Sequence, residues 1–183
     1  MIRLLCLFRA VGIAWGTTGQ DVAYRSTPQG ESKMAVSDPD GWKPTAAGPG
    51  IAFFFWGSLL YGSAQPFYSE AGDLARREMV AAGGEYRVKS KHNTTKGVAL
   101  IDCQAAFGWI HAHAGEQGFD PAKLSAGGLC AMSILNQSAK PASMVRFNPG
   151  GLAQAEPLAR IPPTILFFGS ADQLYLASAL AKN

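Results

Sequence analysis

The period of apolar and polar positions changes several times along the chain, and each change marks an element. Val22 to Asp38 alternates loosely around Pro28-Gln29-Gly30, the pattern of a strand, a turn and a strand. Breaker-rich loops follow at Asp38-Pro39-Asp40-Gly41 and from Lys43 to Gly50. Ile51 to Trp56 is apolar without alternation and too short for an ordinary helix. That predicts a strand buried on both faces, as in a parallel sheet. From Phe67 to Met79 the spacing turns helical, with Phe67, Ala71, Leu74, Ala75 and Met79 on one side. Met79 to Tyr86 predicts a second buried strand, weakened by Gly83-Gly84. Thr95 to Glu116 is the longest predicted helix. Val98, Ile101, Ala105 and Ala112 trace its apolar face, and Trp109 and Ile110 widen it. Gly118 ends this helix and Asp120-Pro121 acts as a stop. Further strands are expected at Lys123 to Gly128, Met144 to Phe147 and Thr164 to Phe168. Strands alternating with helices predict an α/β domain with a mainly parallel sheet flanked by helices.

Composition narrows this picture. A chain of 183 residues suits one domain, and 48% apolar content excludes wholesale disorder. After the N-terminus no apolar run is long enough to span a bilayer, so no membrane span is expected. A net charge of +3, spread along the chain, makes no case for nucleic acid as a partner. Three cysteines, widely spaced, are too few for a disulfide scaffold or a zinc site. No Gly-x-Gly-x-x-Gly follows a strand, which disfavours a dinucleotide site, and no cofactor or metal is expected. Residues 1–16 read either as a signal peptide, with Ala14-Trp15-Gly16 as its cleavage site, or as a strand or helix of the mature domain. The first implies a secreted or periplasmic protein, the second a cytoplasmic one. Residues 17–183 would then form the single domain.

Ligands of open α/β sheets bind beyond the carboxyl ends of the strands, so the segments after those ends carry the chemistry. Read in order, FFFWGSLLYGSAQPFY (53–68), MVAAGGEYRVKSKHNTT (79–95), VALIDCQAAFGWIHAHA (98–114), GFDPAKLSAGG (118–128), VRFNP (145–149) and PPTILFFGSADQL (162–174) resemble the α/β-hydrolase fold. The resemblance is to its esterase and lipase branch, which includes acetyl-xylan-esterase-like carboxylesterases. It implies the family's oxyanion turn at Phe55-Trp56-Gly57-Ser58-Leu59, where the N–H groups of Gly57 and Ser58 would serve. Only Gly57 keeps a glycine of the family's HGGGW-like pattern.

Two positions compete for the family's nucleophile elbow. Ser125-Ala126-Gly127-Gly128 is literally similar to the family's Ser-Ala-Gly-Gly, but leaves only Ala122-Lys123-Leu124 for the strand that must present the serine. The ungapped spacing after Asp120-Pro121 instead places the elbow on Gly128-Leu129-Cys130-Ala131-Met132. Strand length favours this register, with Cys130 as nucleophile and the Ala131 N–H as a further oxyanion donor. A cysteine can serve as nucleophile in this fold, as in dienelactone-hydrolase-like enzymes, if a base makes it a thiolate. The alternative is an inert buried thiol. Cys103 and Cys130 can also pair with each other if the fold brings them together.

Asp172, in Phe168-Gly169-Ser170-Ala171-Asp172, matches the family's acid, and is otherwise a turn residue or the N-cap of a helix from Gln173 to Ala181. The family's histidine should follow the acid, yet the chain stops at Asn183 without one. His111 and His113 fall on the long helix, and only His92, after the second buried strand, sits at the correct edge. The segments after the elbow are also short, so a C-terminally shortened hydrolase is expected. Two readings stay open: a weakly active hydrolase of small or acetyl esters, or a silent hydrolase-fold binding protein or truncated gene product.

Overall fold

The computed structural model describes residues 19–135, 137–147 and 161–169. The predicted hairpin is β1 (Gly19–Thr27) and β2 (Gly30–Ser37), antiparallel around Pro28-Gln29. Next come β3 (Gly48–Phe54), the helix α1 (Tyr68–Ala75) and β4 (Val80–Gly84). A single turn, α2 (Lys89–His92), leads to the long helix α3 (Lys96–Ala112), and a second short turn, α4 (Ala114–Gln117), leads to β5 (Phe119–Gly128). α5 (Ala131–Ile134), β6 (Met144–Phe147) and β7 (Thr164–Phe167) complete the described elements. The seven strands order as β1-β2-β4-β3-β5-β6-β7. β2 pairs antiparallel with β1 and β4, and β4, β3, β5, β6 and β7 run parallel. The mainly parallel α/β sheet flanked by helices is thus the observed architecture.

The two central apolar runs behave as their patterns require. Every residue of β4 is buried, and all are small, which lets helices approach both faces. Gly83 faces Ala64 and Tyr68, on the α1 side, whereas Gly84 faces Phe54 and Ala106, on the α3 side. The two glycines therefore make room for large neighbours. Phe54 fills the space beside Gly84, while Phe53 lies over Gly127 of β5 with its ring stacked on that of Phe67 at 4.7 Å.

Three boundaries differ from expectation for local reasons. α1 stops at Ala75 because the chain curls back, the Met79 N–H reaching the Leu74 carbonyl with Glu78 in the left-handed region. α3 breaks at His113 before α4, and Gly118 closes that turn with a positive φ. Asp120-Pro121 lies inside β5 as a bulge: Phe119 pairs with Gly48, and pairing resumes only with Leu124 opposite Gly50. Residues 1–16 and Gln173 to Ala181 lie outside the described residues.

The predicted face of α3 is rotated. Ile101 is 51% exposed, and the buried residues are Ala99, Asp102, Cys103, Ala106, Phe107 and Ile110. The helix is apolar nearly all round, so spacing alone left its orientation open. Asp102 sets it. Arg87 donates to this fully buried carboxylate from Nε (2.7 Å), Nη2 (2.8 Å) and its backbone N–H (3.1 Å), and Arg25 on β1 adds Nη1 at 2.9 Å. Four charge-assisted donors offset the cost of removing a carboxylate from water.

Asp102→Ala should lower unfolding free energy by about 3–5 kcal/mol, because two arginines lose their shared partner; urea unfolding of the purified chain measures it, and a change within about 0.5 kcal/mol would refute the role. Asp38, after β2, behaves oppositely. Burial pushes its pKa up to about 6, and its Oδ1 meets no donor. A carboxyl whose folded pKa is raised contributes stability at low pH and loses it as pH climbs through about 6. Asp38→Asn should therefore raise Tm more at about pH 7 than at about pH 4, where Asp38 is already protonated. Equal gains at both pH values would contradict this.

Candidate active site

Parallel strands β3, β4 and β5 end at one edge, and the segments leaving them are tied together there. The turn after β3 is conformationally demanding. Gly57, Ser58 and Leu59 all have positive φ, at 122°, 55° and 64°. A Cβ on Gly57 would overlap the Tyr61 carbonyl, so only glycine fits. The Gly57 carbonyl accepts from Leu60 (2.8 Å) and Tyr61 (3.2 Å), which closes the turn. Among the described residues, neither the Gly57 nor the Ser58 N–H meets an acceptor.

The segment after β4 buttresses this turn. Tyr86 donates its hydroxyl to the Phe55 carbonyl at 2.7 Å, and the two rings stack at 3.8 Å. Burial, with Glu85 nearby, raises the Tyr86 pKa well above its ordinary value, so the hydroxyl stays a donor. The Glu85 carboxylate accepts from the Ala64 N–H (2.7 Å), and the Leu60 carbonyl accepts from Ser90 (2.9 Å).

β5 reaches Gly128, so Ser125 lies within the strand, its hydroxyl bonded to that of Ser143 at 2.7 Å. Cys130 stands at the strand-to-helix junction, immediately before α5, with Ala131 as the first helical residue. Leu129 donates to the Phe54 carbonyl at 3.2 Å, which fastens this junction to the end of β3, just before the Gly57 turn. Gly128 has φ 96°, and a Cβ there would overlap the Phe54 carbonyl.

The Cys130 side chain is turned away from the sheet edge. It is fully buried and disulfide-bonded to Cys103 of α3, with a Cα–Cα separation of 6.2 Å. A bonded sulfur is no thiolate, so the nucleophile role belongs only to a reduced form. Its backbone is relaxed, at φ −84° and ψ −4°, whereas a nucleophile elbow holds its residue in a strained turn. Gln104 repeats the link between α3 and α5 by donating to the Ser133 carbonyl at 2.9 Å.

The histidines are placed elsewhere. His92 Nδ1 accepts from the Val88 N–H at 3.0 Å, the reverse of a triad histidine, whose Nδ1–H donates to the acid. His92 lines a cleft of about 250 Å³ with Lys33, Glu85 and Lys91, at the β2–β4 side. Two strand spacings, about 10 Å, separate β4 from β5. His111 and His113 fall at the end of α3, which runs from the carboxyl edge toward the start of β5, so they sit at the opposite edge. Asp172 lies outside the described residues.

Two features escaped the apolar pattern. Arg146 on β6 is buried, its Nε meets no partner among the described residues, desolvation lowers its pKa, and it lies one residue beyond the Gly127–Val145 pair. Its signal was a charge inside a four-residue strand. Trp56, Phe147 and Phe167 form a half-exposed aromatic rim along the carboxyl ends of β3, β6 and β7, with ring separations of 5.9 Å and 5.2 Å. Among the described residues, no cluster of three His, Cys, Asp or Glu is placed to hold a metal, and no helix is long and apolar enough to cross a membrane.

No protein-family model and no curated protein matches the chain. Solved structures do. The chain is similar to native esterase Est2 of the planctomycete Thermogutta terrifontis, with 26% identity and a TM-score of 0.75 over 88% of this chain and 75% of that one. It is also similar to esterase 2 of that organism phosphorylated by paraoxon, at 27% identity and TM-score 0.77, covering 88% and 75%. The form phosphoramylated by tabun gives 27% and 0.75, covering 88% and 76%. The fold is therefore that of an α/β-hydrolase-type esterase.

Gly128→Ala should destabilise the chain by about 1–3 kcal/mol, since a side chain at that φ is strained and the Phe54 carbonyl is in its way. Gly115→Ala, with open space around it, serves as the control in the same denaturant series, where it should be neutral or slightly stabilising. Equal effects at both positions would show that the junction is not so tightly fastened.

Proposed function

We propose that the chain is a carboxylic-ester hydrolase of small or acetyl esters, acting weakly through Cys130. The observation that carries this reading is the junction itself. Cys130 lies between β5 and α5, and Leu129 ties that junction to the β3 end, where the Gly57–Ser58 turn leaves two N–H groups without acceptors. Esterase neighbours at 26–27% identity support it.

In the reduced chain, the Cys130 thiolate attacks the ester carbonyl carbon. A C–S bond forms, and the carbonyl oxygen takes the negative charge. The N–H groups of Gly57, Ser58 and Ala131 are the donors assigned to that oxygen. The alkoxide leaves with a proton from solvent, and water hydrolyses the thioester to free the acid and restore the thiol. Asp172 is assigned the family's acid role. His92 and His113 each engage a backbone group four residues away through Nδ1, so neither is poised as a base for Cys130, activation of thiol and water is poor and turnover slow. The aromatic rim supplies an apolar wall for the acyl or alcohol part, and its faces suit the ring of an acetylated sugar. A disulfide accords with the secreted or periplasmic placement that the N-terminus suggests.

The bonded sulfur of Cys130 also favours a second reading, a silent hydrolase-fold protein that binds without turnover. Hydrolysis of p-nitrophenyl acetate by the reduced, purified chain separates the two. Turnover should survive in Ser125→Ala and fall at least about tenfold in Cys130→Ala. The silent reading is correct if no short-chain ester is hydrolysed, and loss in Ser125→Ala alone would move the nucleophile to that residue.

A further inference from the structure

We propose that Cys103–Cys130 is a thiol–disulfide exchange site that withholds the nucleophile while oxidised and releases it on reduction. The inference rests on the reading of Cys130 as that nucleophile.

Position argues for it. The two Cα atoms, 6.2 Å apart, lie within the range a disulfide bridges. The bond adds little to the architecture, because Gln104 already fastens α3 to α5 and both cysteines sit in a large apolar core. Small domains need such staples where the core is insufficient, and this core is not. What the bond does change is chemical. It takes the sulfur of the junction residue out of reach and holds the side chain against α3, where the backbone has φ −84° at Cys130 and a positive φ at Gly128. Neither a strained elbow nor a thiolate exists in this state.

Release follows ordinary exchange chemistry with a dithiol reductant. One thiolate of the dithiol attacks Cys103 Sγ, the S–S bond breaks, and Cys130 departs as the thiolate. The second thiol of the reductant, deprotonated, then attacks its own sulfur in the mixed disulfide. The reductant leaves as a cyclic disulfide, and Cys103 takes the proton as a thiol. Two electrons pass from reductant to protein. Local opening of α5, a single helical turn, gives the reductant access to the buried pair.

The test compares the full chain before and after dithiothreitol treatment, read by iodoacetamide labelling of the unfolded chain and by single-turnover acetylation from p-nitrophenyl acetate. Before reduction, Cys103 and Cys130 should both escape alkylation and Cys130 should carry no acetyl group. After reduction, both should label, Cys130 should acquire acetyl, and turnover should rise about tenfold or more. Cys103→Ser should reach the reduced level without reductant; if that variant does not fold, titration of the wild-type chain with dithiothreitol decides the matter alone. Equal acetylation before and after reduction overturns the gate and leaves the ester reading standing. If reduction frees both thiols but no acetyl reaches Cys130, the ester reading fails and the gate with it.

Discussion

A carboxylate carried into the interior of this domain organises much of what surrounds it. Asp102 is fully buried on α3, and removing its charge from water is tolerable only because Arg87 and Arg25 surround it with donors. Those partners come from β1 and from the segment after β4, two parts of the chain far from α3 in sequence. The geometry then propagates along the chain in both directions. Arg87 follows Tyr86, whose hydroxyl and ring hold Phe55 at the start of the Gly57 turn. On the helix, Asp102 precedes Cys103 and Gln104, which reach Cys130 and Ser133. One ion-pair node thus connects to both halves of the candidate site, the Gly57 turn through β4's exit and the junction through α3.

The backbone between those halves is unusually constrained. Three consecutive positive-φ residues after β3 are affordable only where hydrogen bonds over-determine them, and Gly57, Leu60, Ser90 and Tyr86 supply those bonds. The β5 exit is fastened to the same place by Leu129. The glycine requirement at Gly128 comes from the nearness of the Phe54 carbonyl, so it belongs to strand packing before any chemistry is considered.

How much of this was legible in the sequence depends on range. Local periodicity located the strands and the long helix, since unbroken apolar runs and turn residues report burial and chain reversal directly. The end of β5 at Gly128 was legible too, whereas its start was not, because Asp120-Pro121 reads as a stop and is a bulge inside the strand. What failed was long-range. The face of α3 could not be read from spacing, because the partners of the carboxylate that orients it lie at positions 25 and 87. His92 looked well placed by strand order, yet its Nδ1 is engaged by a backbone four residues away. The fate of Cys130 needed the distance to Cys103, which no spacing along the chain encodes.

That fate gives the cysteine at the junction a meaning a serine could not have. A serine hydroxyl has no covalent partner to lose or regain, so a serine elbow is regulated only by what surrounds it. A thiol at the same place can be made inert by a second thiol on a neighbouring helix, and this chain positions one there. A buried, bonded sulfur has to be freed before it can serve as a nucleophile at all. The scaffold around it is also held by contacts other than that bond: the Asp102 ion pairs, the Gln104–Ser133 link and the hydrogen-bonded turn after β3. The likeness to esterases measures that scaffold, and the chemistry has to be argued from the residues of the site itself.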